Sequence, residues 1–282
     1  MDIAGRQRPP PGALHLDHVA HFVPDLDAAG ELLEALGFAP TPISHHQVGG
    51  KPAGTANRCL MLSQGYIEIL APTLDTPNAQ RARDLMVRYP GVHLVCFGTQ
   101  AAEAEHARLA AHGFKPEAVV PLERKISRDR LLRFKVIYLP PGTMPEGRIQ
   151  YCEHLTPKYL WDKPSLAHRN GAKGLAAVYV VADDPAAAAA RWGEYAGLLP
   201  RPDGKLVRLD CARGQVFIGT REALSGFISD VPPAPGVAAI GLRFRNPTAF
   251  AARCRKLGLK IRKRRRGYSV TLPPALGGTW IF

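Results

Sequence analysis

The chain has 282 residues, 46% hydrophobic and 22% charged, the balance of an ordinary globular protein and not of a disordered one. Lys and Arg number 37 against 24 Asp and Glu, and this net charge of +13 favours anionic partners: nucleic acid, phosphates or carboxylate substrates. No uninterrupted run of about 18 apolar residues argues for a membrane-spanning helix, and "MDIAGRQRPPPGAL" lacks the apolar core of a secretory signal.

In chain order, the first elements are "LDHVAHFVPDLDAAGELLEALGF" from Leu16: an apolar strand, a turn at Asp25, an Ala-rich helix and a stop at Gly37. "SHHQVGGKPAGTANR" (Ser44–Arg58) reads as a long Gly-rich polar loop suited to a lid or a substrate-binding segment. "ANRCLMLSQGYIEIL" follows as two strands joined at Gln64-Gly65. "GVHLVCFGTQAAEAEHARLAAHGF" from Gly91 repeats the strand and helix, then "LLRFKVIYL" and "GRIQYCEHL" supply strands. The pattern recurs in "GLAAVYVVADDPAAAAARWGEYAGL" from Gly174, with "KLVRLDCARGQVFIG" behind it. It appears a fourth time in "GVAAIGLRFRNPTAFAARCRKLGL" from Gly236, followed by "GYSVTLPPALGGTWIF". Each helix ends at a glycine (Gly37, Gly113, Gly197, Gly258) followed by an apolar residue, as a glycine C-cap requires.

The implied architecture is α+β: four βαβββ modules arranged as two paired-module domains with curled mixed β-sheets. The N-terminal pair is placed at 14–160, a linker at 161–173 and the C-terminal pair at 174–282. The five scattered cysteines, with no CxxC, read as reduced thiols of a cytoplasmic protein. The basic run "KIRKRRRGYSV" (Lys260–Val270) reads as a solvated hairpin edge, and no nucleic-acid-binding module is evident.

Strand alternation puts His18, Ala20 and Phe22 on one face and Val19, His21 and Val23 on the other. Applied to the other strands, it gives each N-terminal module one apolar face and a second face with a polar residue near the same height. Those residues are His18, Glu68, His93 and Gln150; His21 points away and is expected to be structural. The corresponding positions of the second half are taken as Ala176, Phe217, Ala238 and Phe282, none of which binds a metal. The second pair is therefore expected to be a degenerate partner that closes the cleft or mediates homodimerisation.

The sequence resembles the vicinal oxygen chelate superfamily and, within it, the glyoxalase-like domain proteins. The resemblance rests on "LDHVAHFVPDLDAA", "GTANR", "GYIEIL", and "HLTPKYLW" followed by "HRNGA". It implies a divalent metal (Zn, Ni, Co, Mn or Fe) held by His18, Glu68, His93 and Gln150, with Glu153 or His154 as bulge-dependent replacements for Gln150. Glu68 would then be both ligand and proton carrier, and Arg58, Asn57, His45 and His46 would bind a small, anionic substrate. His168 and Asn170 are expected to fix the linker. The function expected is that of a metal-dependent glyoxalase-like lyase or isomerase. An Fe(II) extradiol-type dioxygenase and a non-catalytic small-molecule binder are the alternatives.

Overall fold

The computed structural model describes residues 3–48, 50–127 and 130–282. The first half runs β1 (His15–Phe22), α1 (Leu26–Ala35), β2 (Ser44–Val48), β3 (Lys51–Met61), β4 (Tyr66–Pro72), α2 (Pro77–Met86), β5 (Gly91–Gly98), α3 (Ala102–Ala111), β6 (Val120–Ser127), β7 (Arg130–Ile137) and β8 (Arg148–His154). The second runs β9 (Ala172–Val181), α4 (Pro185–Ala196), β10 (Arg201–Asp203), β11 (Leu206–Asp210), β12 (Gln215–Gly219), α5 (Arg221–Ser225), β13 (Gly236–Phe244), α6 (Pro247–Lys256), β14 (Ile261–Lys263), β15 (Tyr268–Thr271) and β16 (Thr279–Ile281).

Among the described residues these strands make two eight-stranded sheets of identical order, β2-β3-β4-β1-β5-β8-β7-β6 and β10-β11-β12-β9-β13-β16-β15-β14. β1 pairs in parallel with β4 and antiparallel with β5, and β9 does the same with β12 and β13. The fold is thus α+β, built of paired βαβββ modules.

Local chemistry explains the repeats. Asp25 accepts from the amides of Asp27 (2.7 Å) and Ala28 (3.1 Å), Asp184 from Ala186 and Ala187, and Asn246 from Ala249, so three of the four repeat helices carry a side-chain N-cap. Ala101 offers none; instead Glu153 Oε2, from β8, accepts from Ala102 N at 3.1 Å. The four terminating glycines all sit at positive φ, between 63° and 84°.

Two sequence expectations are corrected here. The Ser44–Arg58 loop is the β2–β3 hairpin: Ser44 pairs with Asn57, and Val48 with Lys51. (Gly49 lies outside the described residues.) Its alternation is hidden because one face looks into a polar site and carries His46, Thr55 and Asn57. The second correction concerns register. Asp17, His93, Ala176 and Ala238 are each skipped in the antiparallel pairing, so each is a bulge residue. All four lie eight positions before their helix N-cap (Asp25, Ala101, Asp184 and Asn246). His93 is therefore the counterpart of Asp17, and the counterparts of His18 are Leu94, Ala177 and Ala239. The parallel pairing likewise matches Gln150 with Ile281, not Phe282.

The helix-facing sides of both sheets share one apolar cluster, including Leu16, Val19, Ile67, Val95 and Phe97 with Val178, Val216, Ile240 and Trp280. Each such side chain contributes about 1.5–3 kcal/mol on burial. His21 fastens the halves together: its Nδ1 donates to Leu276 O (3.1 Å), and Trp280 Nε1 donates to its Nε2 (3.0 Å). Burial lowers its pKa to about 4, so the ring is neutral, as a structural residue of this strand face should be.

Candidate functional site

The other face of the first sheet, here the inner face, carries the polar residues. The four central strands stand in the order β4-β1-β5-β8, and their pairing sets side chains in rows. One row is Tyr66, His18, Cys96 and Gln150; the next is Glu68, Ala20, Leu94 and Arg148. Phe22, Leu70 and Leu94 pack there against Ala82, with Leu85 and Met86 beside them, so α2 covers the apolar end of this face.

Glu68 is the centre of one polar group. Asn57 Nδ2 donates to its Oε1 at 2.6 Å, and His46 Nε2 stands 3.9 Å from the same oxygen. Arg124 reaches across from β6, with Nη1 3.5 Å from Asn57 Oδ1. Arg148 Nε donates to Gln150 Oε1 at 2.9 Å, and its guanidinium carbon lies 4.8 Å from the Tyr138 ring centroid. Burial lowers the His46 pKa; Glu68 opposes the shift, while the Arg124 and Arg148 charges add to it. One buried carboxylate thus shares this face with two guanidinium groups and a neighbouring imidazole, a set suited to an anion that brings its own oxygens.

The second group is centred on Asp17, which the bulge turns towards the side of His18. Asp17 is fully buried, and its Oδ2 accepts from His18 Nδ1 (2.7 Å) and His154 Nε2 (2.9 Å). Burial opposes its charge, but the two imidazoles more than compensate and hold the carboxyl far below its usual range. Burial likewise works against a charged His154, and Asp17 with the Cys152 sulfur raises it above an ordinary histidine. Tyr66 stacks on His18 at 4.2 Å, and Trp161 closes on His154 at 4.9 Å.

The expected site residues are distributed unevenly over this framework. Glu68, Asn57 and His46 come together; Gln150 borders them through Arg148. His18 lies one row away, against Tyr66 and Asp17. His93 packs against the Tyr89 ring, tilted at 4.2 Å, donates from Nε2 to Tyr89 O (2.7 Å), and has a buried Nδ1 without a partner. His45 is exposed. Arg58 sits on the helix-facing side, where Nε donates to Thr41 O and the guanidinium packs against Gly30 of α1. Glu153 caps α3. His168 joins Ala39 N to Met61 O, and Asn170 Nδ2 donates to Leu36 O, so both fix the linker.

Sequence reading missed Asp17, Arg124, Arg148 and Tyr138. Arg148 shares the strand face of Gln150 and was open to the same alternation argument; Arg124 arrives by long-range pairing that no local pattern announces.

The residues expected to hold a divalent metal, His18, Glu68, His93 and Gln150, are not gathered as one donor set. Among the described residues, the one set of three His, Cys, Asp or Glu donors whose ligand atoms all lie within 4.8 Å of one another is Asp17, His18 and Cys96. That set omits Glu68 and His93; in its Asp17, Oδ2 is shared by two imidazoles and Oδ1 is buried without a partner. The Cys96 thiol is held neutral by burial. Leu94 occupies the position equivalent to His18, Gln150 Oε1 is engaged by Arg148, and Glu68 Oε1 is engaged by Asn57.

The equivalent face of the second sheet is filled. Ala177, Phe217, Ala239 and Ile281 stand where the first sheet has His18, Glu68, Leu94 and Gln150. Leu224, Ile228 and Val231, from α5 and the segment after it, pack on that face, and Phe217 stacks on Tyr179 at 5.0 Å. Arg264 of the basic run lies over Phe227, 4.8 Å from its centroid, and β14 is the edge strand.

Solved structures share this architecture. A hypothetical protein from Staphylococcus aureus superposes with TM-score 0.66 at 12% identity, over 95% of this chain and 98% of that one. The Mn(II)-bound glyoxalase from Novosphingobium aromaticivorans gives 0.58 at 11% identity, over 95% and 81%. A mutant 4-hydroxymandelate synthase from Streptomyces coelicolor gives 0.56 at 13%, over 95% and 92%. At such identities the likeness concerns the fold. No curated protein matches the sequence. The family model of the glyoxalase-like domain matches residues 16–196, from β1 through α4. With its repeated modules and paired sheets, the chain belongs to this glyoxalase-like family of the vicinal oxygen chelate superfamily.

Proposed function

We propose that the inner face of the first sheet is the active site of a lyase or isomerase acting on a small, oxygen-rich anion by moving a proton next to a carbonyl. The observation that carries this reading is Glu68: a buried carboxylate anchored through one oxygen by Asn57, on a face where Arg124 bonds to Asn57, Arg148 bonds to Gln150, and both charges act on the neighbouring His46. The substrate's carboxylate and carbonyl oxygens face the guanidinium groups, whose planar forks match such oxygens. Glu68 uses the oxygen not held by Asn57 to take the proton, a step worth about 10²–10⁴ in rate. The enolate charge grows beside Arg124 and Arg148, which stabilise it without reorganising. His46, 3.9 Å from Glu68, passes the proton to or from solvent. The metal-dependent form of this chemistry would use His18, Glu68, His93 and Gln150. In our reading the arginines take over its electrostatic part, and no step runs through a metal.

The test is proton exchange in D₂O, followed by NMR, over a panel of small 2-oxo and 2-hydroxy carboxylates. Wild-type protein is expected to exchange the α-proton of at least one substrate. Glu68→Gln is expected to lose that exchange by about 100-fold or more while keeping its fold. Ligand binding with no exchange by wild type, with or without added metals, would make this a binding protein and reject the catalytic reading.

A further inference from the structure

A second anion site lies outside the inner face, where the N-terminal segment, the start of β1 and the β11–β12 turn meet. A groove of about 940 Å³ runs along this junction and is lined by Arg6, Arg8, Arg213, Arg243, Gln64 and Gln100, among others. Its volume is that of a site for a nucleotide-sized molecule. The groove wall is fixed by backbone pairing between the halves: Leu16 N donates to Arg213 O at 2.7 Å, and Ala212 N to Leu14 O at 2.9 Å.

Arg213 is the informative residue. The residue is more than nine-tenths buried, at 8% exposure. Nη1 donates to Arg6 O and to Gln7 Oε1, both at 2.9 Å, while Nε and Nη2 are buried without a partner. No carboxylate forms an ion pair with it among the described residues. The acidic residue lining the groove, Asp210, is engaged by Arg208 and Gln215. Arg243 and Arg8 hydrogen-bond to neutral oxygens only, those of Gln64 and of the Leu155 carbonyl. His15, beside them, is lowered to about 4 by burial and then by the Arg213 charge. Asp17 acts on Arg213 only from a distance, and a buried guanidinium with no carboxylate in contact is costly unless a ligand supplies one. Clustered arginines recognise phosphate oxygens through paired N–H donors.

We propose that this groove binds a multiply charged, phosphate-bearing small molecule, with Arg6, Arg8 and Arg243 gripping its exposed groups and Arg213 supplying charge from the wall. The site is independent of the polar group around Glu68: it is built on the opposite end of β1 and on the second half.

The probe is pyrophosphate, added to the full chain at low ionic strength and followed by calorimetry and thermal melting. Saturable binding with a rise in Tm is expected, and sodium sulfate at equal ionic strength should give a smaller rise. The exposed double variant Arg6→Gln/Arg243→Gln is expected to weaken binding about tenfold or more. Arg148→Gln, in the other site, should leave pyrophosphate binding unchanged, so the two sites fail separately. Arg213→Met is expected to abolish the pyrophosphate-induced rise in Tm; should it not fold, the exposed double variant decides. No saturable binding, or undiminished affinity in the double variant, overturns the proposal. So does a sulfate effect equal to that of pyrophosphate.

Discussion

The two sheets share one strand order, yet the same positions carry opposite chemistry on their inner faces. The first has Glu68, Arg148 and Gln150 where the second has Phe217, Thr279 and Ile281. The second also receives Leu224, Ile228 and Val231 against its face, held by Ser269 Oγ on Phe227 O and Arg262 on Ser225 O. An inner face therefore does one of two things in this fold. It keeps polar groups, or it becomes a core. The duplicated half acts as a built-in control for which residues the backbone itself demands.

That contrast can be broken most severely at Asp17. Asp17→Ala leaves the buried His18 and His154 without their shared acceptor, and a loss of about 3–5 kcal/mol in unfolding free energy is expected by denaturant titration. The same change at its second-half counterpart is already present as Ala176, at no cost visible in the fold. Glu68→Gln is expected to cost about 100-fold in turnover with little change in Tm, since the amide oxygen still accepts from Asn57.

Acid should act on the join between the halves. His21 and His93 are both lowered to about 4, chiefly by burial. From the ordinary value of 6.5 down to about 4, the unfolded chain takes up protons that the folded chain refuses. Stability therefore falls as pH drops through that window, by at most about 3 kcal/mol per histidine. Melting curves at intervals between pH 7 and 4 should show the decline, and His21→Gln should flatten it.

Phe217→Ala removes the ring that stacks on Tyr179, and a loss of about 2 kcal/mol with unchanged activity is expected. The smallest effect concerns Arg148→Gln, which should raise KM about tenfold and change kcat less, because part of its charge acts on bound substrate. An equal effect of Phe217→Ala and Arg148→Gln on KM would erase the distinction between the faces.

The repeats, the helix caps and the terminating glycines were legible because each is a local pattern: apolar periodicity, Asp or Asn at the N-cap, and glycine where φ is positive. Glu68, Asn57 and His46 were reachable from strand alternation, or from their place in a polar segment beside a strand. What alternation could not reveal was the bulge. One extra residue at Asp17 and at His93 turns two successive side chains the same way, so counting by twos from "GVHLVCF" selects His93, whereas the fold aligns Leu94 with His18. The β2–β3 hairpin was hidden by its glycines and polar face. The arginines were hidden because Arg124 meets Asn57 only when β6, at one edge of the sheet, approaches β3 near the other, a long-range event.

The most direct measurement is a crystal structure of the protein soaked with oxalate, a planar mimic of an enolate, in the presence of a chelator. Oxalate is expected on the inner face of the first sheet, within hydrogen-bonding distance of Arg148 or Arg124 and next to Glu68, with none on the inner face of the second. Oxalate that enters only when a divalent metal is supplied and sits on that metal, or that binds nowhere near Glu68, would contradict it.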